Sequence, residues 1–367
     1  MKTQVAHNDV GRSAFALIMV LMLVAAASVL GMCCLWSSSI RLAGSQNFVT
    51  AARARMLAES GVQHAMYILR TDADALLAAG ASNPLGPYHL DSMDDSYWFY
   101  CLGQGGGSTF SIASHSACGG LNADVKVTAR LRSNYRSLLE SAGPTHYWRL
   151  GESSGTTCRD SAGSANGSFI NGVTLRTAGA IVGDNDTATT YNGNNQYVSI
   201  PSINPSGSAM TMMAWVRGNN VDLYDRWVLS KISGGSVNRV YWALGVLGTS
   251  GSNRLACRVK TSNKTTTLQA SVALPKQEWV FLAAVYTGQH IILYQNGVEV
   301  ARIAETGSIQ TSSASTTIGS TTHQPTGNPW SGGIDEVAMF FKALSASQIA
   351  ALYNARAPDV EIVRWDD

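Results

Sequence analysis

The sequence predicts an all-β sandwich carried behind one transmembrane helix, a long helical stalk and a small α+β region. Three observations predict it. From Ala14 to Trp36 no residue is charged, and the run is apolar all round at a length that crosses a bilayer core. From Ser45 to Ala78 apolar residues recur at helical steps. From about Ser141 to Ala357 short β runs alternate with Gly, Asn, Ser and Pro turns, the spacing of a sandwich.

A chain of 367 residues has room for two folded units and their connections. Charged residues are 14% of it, low for a soluble cytosolic protein, while Gly, Ser, Thr and Asn are plentiful. The formal net charge is +2, so composition gives no strong attraction to nucleic acid, and no nucleic-acid partner is expected. The six cysteines show neither CxxC nor Cys/His zinc spacing.

Residues 1–13 read as a cytoplasmic leader, 14–36 as a single-pass membrane helix and 37–78 as a stalk. A cleaved secretory signal competes, because Lys2 and Arg12 precede the apolar run and small residues follow it. The run exceeds the usual 7 to about 15 residues of such signals, which favours an anchor. In the stalk, Phe48, Ala52, Leu57, Gly61, Ala65 and Ile68 form the expected apolar face, with Arg53, Arg55, Glu59 and Arg70 between them.

Residues 79–136 form a small β region. Ala123 to Leu131 alternates strictly, as a half-buried strand does. Gly103 to Ser108 reads as a hairpin loop; it lacks the lysine and the following helix that a phosphate-binding loop needs. Outside the cytoplasm Cys101 and Cys118 would close this Gly-rich loop as a disulfide. Two buried free thiols are the competing expectation.

In the sandwich, residues 141–357, the strongest local signal is Asn296-Gly297 between two β runs, which predicts a tight hairpin. Ser345 to Asn354 predicts a helix capped by Ser345. Residues 358–367 read as a C-terminal tail.

Two resemblances follow from motifs. Gly11-Arg-Ser-Ala-Phe-Ala-Leu-Ile-Met-Val-Leu, with Ala54-Arg-Met-Leu-Ala-Glu-Ser-Gly-Val-Gln-His-Ala-Met-Tyr, resembles the N-terminus of minor pilins and type II secretion pseudopilins. That resemblance implies cleavage between Gly11 and Arg12 and partnership with other pilin or pseudopilin subunits. Ala16 stands where major pilins carry glutamate, which the resemblance ties to minor subunits. Tyr147-Trp-Arg-Leu-Gly-Glu, Asp160-Ser-Ala-Gly, Gly183-Asp-Asn-Asp-Thr-Ala, Tyr294-Gln-Asn-Gly and Gly333-Ile-Asp-Glu-Val-Ala together resemble the laminin-G-like, concanavalin A-like jelly-roll family. That resemblance implies a jelly-roll sandwich, binding of a glycan, matrix component or protein, and a structural Ca²⁺ held by Asp160, Asn166 and Asp335. Aspartates in Asx turns are the competing reading of those loops.

No catalytic residue is expected. Related sandwiches include glycanases, whose two carboxylates share one face of a strand. Asp335 and Glu336 are adjacent, and adjacent strand residues point to opposite faces. His290 and His323 lack any nucleophile motif. Trp148, Trp215, Trp242 and Trp279 read as core, and Trp330 as packing rather than a sugar platform. The sequence thus predicts a binding protein of a bacterial envelope, in the inner membrane with its C-terminal domain extracytoplasmic, or at a pilus or cell surface after assembly. The alternatives are a minor pseudopilin-like component with an accessory head, and a glycan-active hydrolase.

Overall fold

The computed structural model describes residues 7–71, 73–89, 95–104, 109–219, 226–249, 252–321 and 329–366. The chain divides into two compact units, Met1–Gly105 with Phe110–Ala129 and Ile362–Asp367, and Gly106–Thr109 with Arg130–Glu361.

In the first unit one uninterrupted helix, α1 (His7–Thr71), joins the expected membrane segment and stalk, and α2 (Ala73–Ala78) follows. From Met19 onward α1 is long and apolar enough to cross a membrane. Its far end packs on an antiparallel sheet of β1 (Leu85–His89), β2 (Ser96–Gln104), β3 (Thr109–Cys118) and β4 (Leu121–Arg132). The buried face of α1 comprises Ala54, Leu57, Ala58, Gly61, Val62, Ala65 and Leu69, spaced at three and four residues as a helix stripe requires. The expected face was right at Leu57, Gly61 and Ala65. It was wrong at Phe48 and Ala52, which are exposed, because the stripe begins only where the helix meets the sheet. Gly11 and Arg12 lie in the backbone of α1, and their side chains are outside the described residues.

The expected Cys101–Cys118 bridge is not formed, and both thiols are free and buried. The β2–β3 register pairs Cys101 with Ile112 and Ser96 with Ala117, which sets the two cysteines at opposite ends of the hairpin. Six residues of strand separate them by about 20 Å, against the roughly 7 Å that a disulfide can span between Cα atoms.

The second unit opens with α3 (Tyr135–Ser141). Its strands are β5 (His146–Trp148), β6 (Thr157–Cys158), β7 (Gly167–Ile170), β8 (Thr174–Ala178), β9 (Thr187–Asn192), β10 (Tyr197–Ile200) and β11 (Met210–Gly218). They continue with β12 (Arg226–Ile232), β13 (Val240–Thr249), β14 (Ser252–Lys260), β15 (Thr265–Ala273) and β16 (Val280–Tyr286). Last come β17 (His290–Gln295), β18 (Val298–Ala304), β19 (Thr316–Ile318), β20 (Ser331–Phe340) and the helix α4 (Ala346–Asn354). One sheet has the order β15-β14-β13-β12-β19-β10-β7-β6. The other has the order β18-β17-β16-β11-β20-β9-β8, with β5 also on β20.

Trp148, Trp242, Trp330, Leu244, Leu282 and Ile334 fill the core between the sheets. A second core lies on the outer face of the second sheet, where Trp215, Phe281 and Phe340 pack with Tyr135 of α3 and with Ile349 and Leu352 of α4. The Asn296-Gly297 hairpin forms as expected, with φ of 51° and 78° at its two central residues. Ser345 caps α4 in a reciprocal box with Gln348.

Residues 358–367 are not a free tail. Asp359–Asp366 forms β21, which pairs with β4 as the fifth strand of the small sheet. The Thr128 hydroxyl donates to Asp366 at 3.0 Å across this pair.

Candidate functional site

The site is built around Arg149, the first residue after β5. The backbone then turns through Leu150, at φ 63°, and Gly151. One guanidinium nitrogen of Arg149 lies 3.0 Å from Asp184 Oδ2 and 2.8 Å from Asp186 Oδ2, and its Nε is 3.5 Å from Glu336 Oε1. Asp184 and Asp186 stand in the β8–β9 loop, where the Asp186 amide donates to Asp184 Oδ1 at 3.0 Å in an Asx turn. Glu336 comes from β20 and accepts the Tyr147 hydroxyl. One cation thereby joins three separate segments of the sandwich.

Glu336 and Asp335 correct the expectation that adjacent acids point to opposite faces. Glu336 has φ 51°, and the β11–β20 register slips between Met213 and Trp215. The slip inserts an extra residue, so the alternation resets. Ile334 and Val337 both enter the inner core, while Asp335 and Glu336 turn away from it together. Both are almost completely buried, which leaves no approach for a substrate. Asp335 Oδ2 accepts the Ala180 amide at 2.8 Å. Burial, and for Asp335 the neighbouring Glu336 charge, push this pair well above the ordinary carboxylate range.

Above this charge cluster lies an open polar cleft of about 580 Å³, walled by residues of the 149–161 loop and by Asp186. Its lining includes Ser153, Thr156, Ser161, Arg159 and Glu152. Glu152 Oε1 accepts the Arg159 amide at 2.7 Å, while its Oε2 is buried without a hydrogen-bond donor among the described residues. Gly151 closes the floor. A Cβ there would overlap Asp186 Oδ1, so only glycine lets the carboxylate reach Arg149.

Of the expected calcium ligands, Asp160 and Asn166 are neighbours and Asp335 stands apart from them. Asp160 Oδ1 accepts the amides of Tyr147, Ala162 and Gly163 at 2.9, 3.2 and 2.9 Å. Its Oδ2 meets His146 Nδ1 at 2.6 Å and the Ala165 amide at 3.0 Å. Asn166 Oδ1 accepts the Asp160 amide at 2.9 Å. These oxygens already face N–H donors, an arrangement that repels a cation. Asp335 lies elsewhere, against Ala180. The carboxylates that do converge surround the guanidinium of Arg149. Among the described residues no group of three or more His, Cys, Asp or Glu side chains is arranged to hold a metal.

Arg149 and Glu152 fall within the Tyr147–Glu152 motif that marked the fold, and the sequence reading gave them no role as a site. Their signal was two opposite charges inside an otherwise apolar and glycine motif. Trp330 packs as expected, fully buried, with its indole N–H on the Gly333 carbonyl at 3.2 Å. His290 is half-buried beside the Thr287 turn, and His323 is outside the described residues.

Residues 192–350 match the family model of the concanavalin A-like lectin/glucanases superfamily. Among solved structures, domain 4 of an extracellular GH43 arabinanase from Geobacillus stearothermophilus, in complex with arabinotriose, is 18% identical, with a TM-score of 0.46 over 57% of this chain and 98% of that one. The binding domain of Paraclostridial Mosquitocidal Protein 1 is 16% identical, with a TM-score of 0.45 over 58% of this chain and 52% of that one. The botulinum neurotoxin serotype D ligand-binding domain, in complex with N-acetylneuraminic acid, is 13% identical, with a TM-score of 0.44 over 59% and 52%. Comparison with curated proteins gave no match.

Two predictions follow from these carboxylates. Burial raises the pKa of Asp160, but the hydrogen bonds from His146 and the amides outweigh it and hold the group down to about 2, against an ordinary 3.8. Its stabilisation is therefore present above the ordinary value and lost as pH falls toward 2. Asp160→Asn should cost about 3 kcal/mol at neutral pH in urea unfolding, while EDTA leaves the melting temperature of the parent protein unchanged. A melting temperature lowered by EDTA would restore the calcium expectation.

The Asp335–Glu336 pair has the opposite sign. Its folded pKa is raised, so its contribution is present at acid pH and lost as pH rises through the raised value. The melting temperature should fall from about pH 5 to about pH 9, and Glu336→Gln should flatten that fall. A pH profile identical in the two proteins counts against the assignment.

Proposed function

We propose that this chain is a membrane-anchored envelope protein whose sandwich binds carbohydrate in the cleft beside Arg149. The observation that carries the reading is the unpartnered, buried Glu152 Oε2 in a cleft lined by hydroxyls and by Arg159. A sugar hydroxyl is both donor and acceptor, so one ligand can give its proton to Glu152 and accept from a guanidinium. The free acceptor costs energy until such a donor arrives, which favours a hydroxylated ligand over an apolar one. Burial of Asp335 and Glu336 supports binding without turnover. The role is then display of a recognition domain outside the membrane, toward a glycan or a glycosylated or matrix partner.

A second reading, a minor pseudopilin-like subunit with this sandwich as an accessory head, draws on a specific feature. The 65-residue α1 is exposed from Met19 to Val49 and seats its far end on a small antiparallel sheet. This arrangement supports assembly through the exposed stretch with other pilin-like subunits, at the inner membrane or in a pilus.

Glycan-array binding by the full chain in non-ionic detergent should give neutral-sugar signals that Glu152→Gln reduces about tenfold, as expected for one lost hydrogen bond to a charged group. Equal signals from parent and variant would remove the cleft as the site. N-terminal sequencing of the mature protein should begin at Arg12 if the pilin-like reading holds, and an intact Met1 refutes it.

A further inference from the structure

The stalk part of α1 carries a second periodicity besides the stripe that meets the small sheet. Large apolar residues recur at every seventh position, at Leu35, Leu42, Val49 and Met56, and they are 72%, 60%, 64% and 67% exposed. Small residues recur at every seventh position between them, at Gly31, Ser38, Ser45 and Ala52, and these are exposed as well. Together the two series keep the alternating four and three spacing of a coiled-coil seam from residue 31 to residue 56. A straight helix drifts off a strict seven-residue repeat, so such a repeat stays in contact only when the helix supercoils around another helix of the same repeat.

The seam and the sheet contact lie on different faces of the helix. Ala54 and Ala58 are fully buried, and the Ala54 carbonyl accepts the Ser116 hydroxyl of β3 at 2.6 Å. Met56 stands two residues from each, which sets it about 200° away around the helix. The sheet therefore leaves the seam clear. The seam is also prepared for burial. Ser38 Oγ donates to the Cys34 carbonyl and Ser45 Oγ to the Leu42 carbonyl, each at 2.9 Å, so another helix can cover both hydroxyls without stranding a donor. A Cβ at Gly31 would meet nothing in its own chain, and small residues at such positions let two backbones approach closely.

We propose that this seam is occupied by the same stretch of a second copy of the chain, parallel and in register, as a two-stranded left-handed coiled coil. The direction rests on the membrane-anchored reading above: identical chains held by one helix in one membrane run the same way, and their confinement raises the effective concentration of each for the other. Charge selects the register. In a parallel pair, a flanking residue faces the one five positions further along the second copy. Arg41 then meets Gln46 of the second copy, Phe48 meets its Arg53, and Arg55 meets its Ser60. No arginine meets an arginine. Sliding one copy by a single repeat sets Arg41 against Arg53 on one side of the pair and Arg55 against Arg53 on the other, a like-charge conflict that the in-register pair avoids. Arg53 and Arg55 also have carboxylates in their own chain, Asp95 at 2.8 Å and Glu59 at 3.2 Å.

The test uses the full chain in non-ionic detergent. Light scattering should give two copies per particle. With Cys33→Ser and Cys34→Ser as background, oxidation by copper phenanthroline should cross-link Ser38→Cys and Ser45→Cys chains to dimers and leave Asn47→Cys, on the other side of the helix, monomeric. The double variant Leu42→Glu, Val49→Glu changes only exposed side chains, so the fold is kept, and it should raise the dissociation constant of the dimer at least about tenfold. Carbonate extraction of membranes reads the anchor separately. Matched cross-links in a chain that carbonate releases would overturn the anchor and keep the seam, whereas a membrane-retained monomer overturns the seam alone. Equal cross-linking at Asn47→Cys, an unchanged dimer in the double variant, or mixed Ser38→Cys with Ser45→Cys cross-links exceeding the matched ones, as a staggered assembly gives, would each overturn the proposal.

Discussion

The cleft end of the sandwich depends on one half-buried cation. Arg149 is ringed by Asp184, Asp186 and Glu336, contributed by two different segments, and its own segment leads into the cleft loop. Burial first, and then the neighbouring acids that one positive charge does not neutralise, favour proton retention on the Asp335–Glu336 pair. Such a cluster is a poor source of net stability, because desolvation offsets the attraction. What it gives is position. It fixes where the 149–161 loop leaves β5, and hence where Glu152 and Arg159 stand.

Most of the architecture was legible in the sequence because it rests on local rules. Asn296-Gly297 specifies its own turn, Ser345 specifies its own cap, alternation marks β4, and β runs bounded by turn residues mark the sandwich. What was not legible depends on register. Nothing in Asp335-Glu336 announces a bulge, because the extra residue is defined only against β11. The Cys101–Cys118 pairing failed for a related reason: a Gly-rich loop between two cysteines suggests closure, but only the β2–β3 pairing shows that they sit at opposite ends of the hairpin. The site was half legible. Asp160 and Asn166 were found and left between a calcium role and a turn role, since the amide donors that fill Asp160 come from backbone that the sequence does not place. Arg149 and Glu152 were seen as fold motif because their partners are distant in the chain.

The strand β21 bears on how this protein is made. The small sheet takes four strands from before the sandwich and its fifth from after it. The sandwich is therefore an insertion within the first unit rather than an appendage to it. During synthesis the insertion is complete while the sheet that encloses it in sequence still has an open edge at β4. The unit begun first is finished last, and until Asp359–Asp366 is made, β4 offers unpaired backbone to any strand within reach.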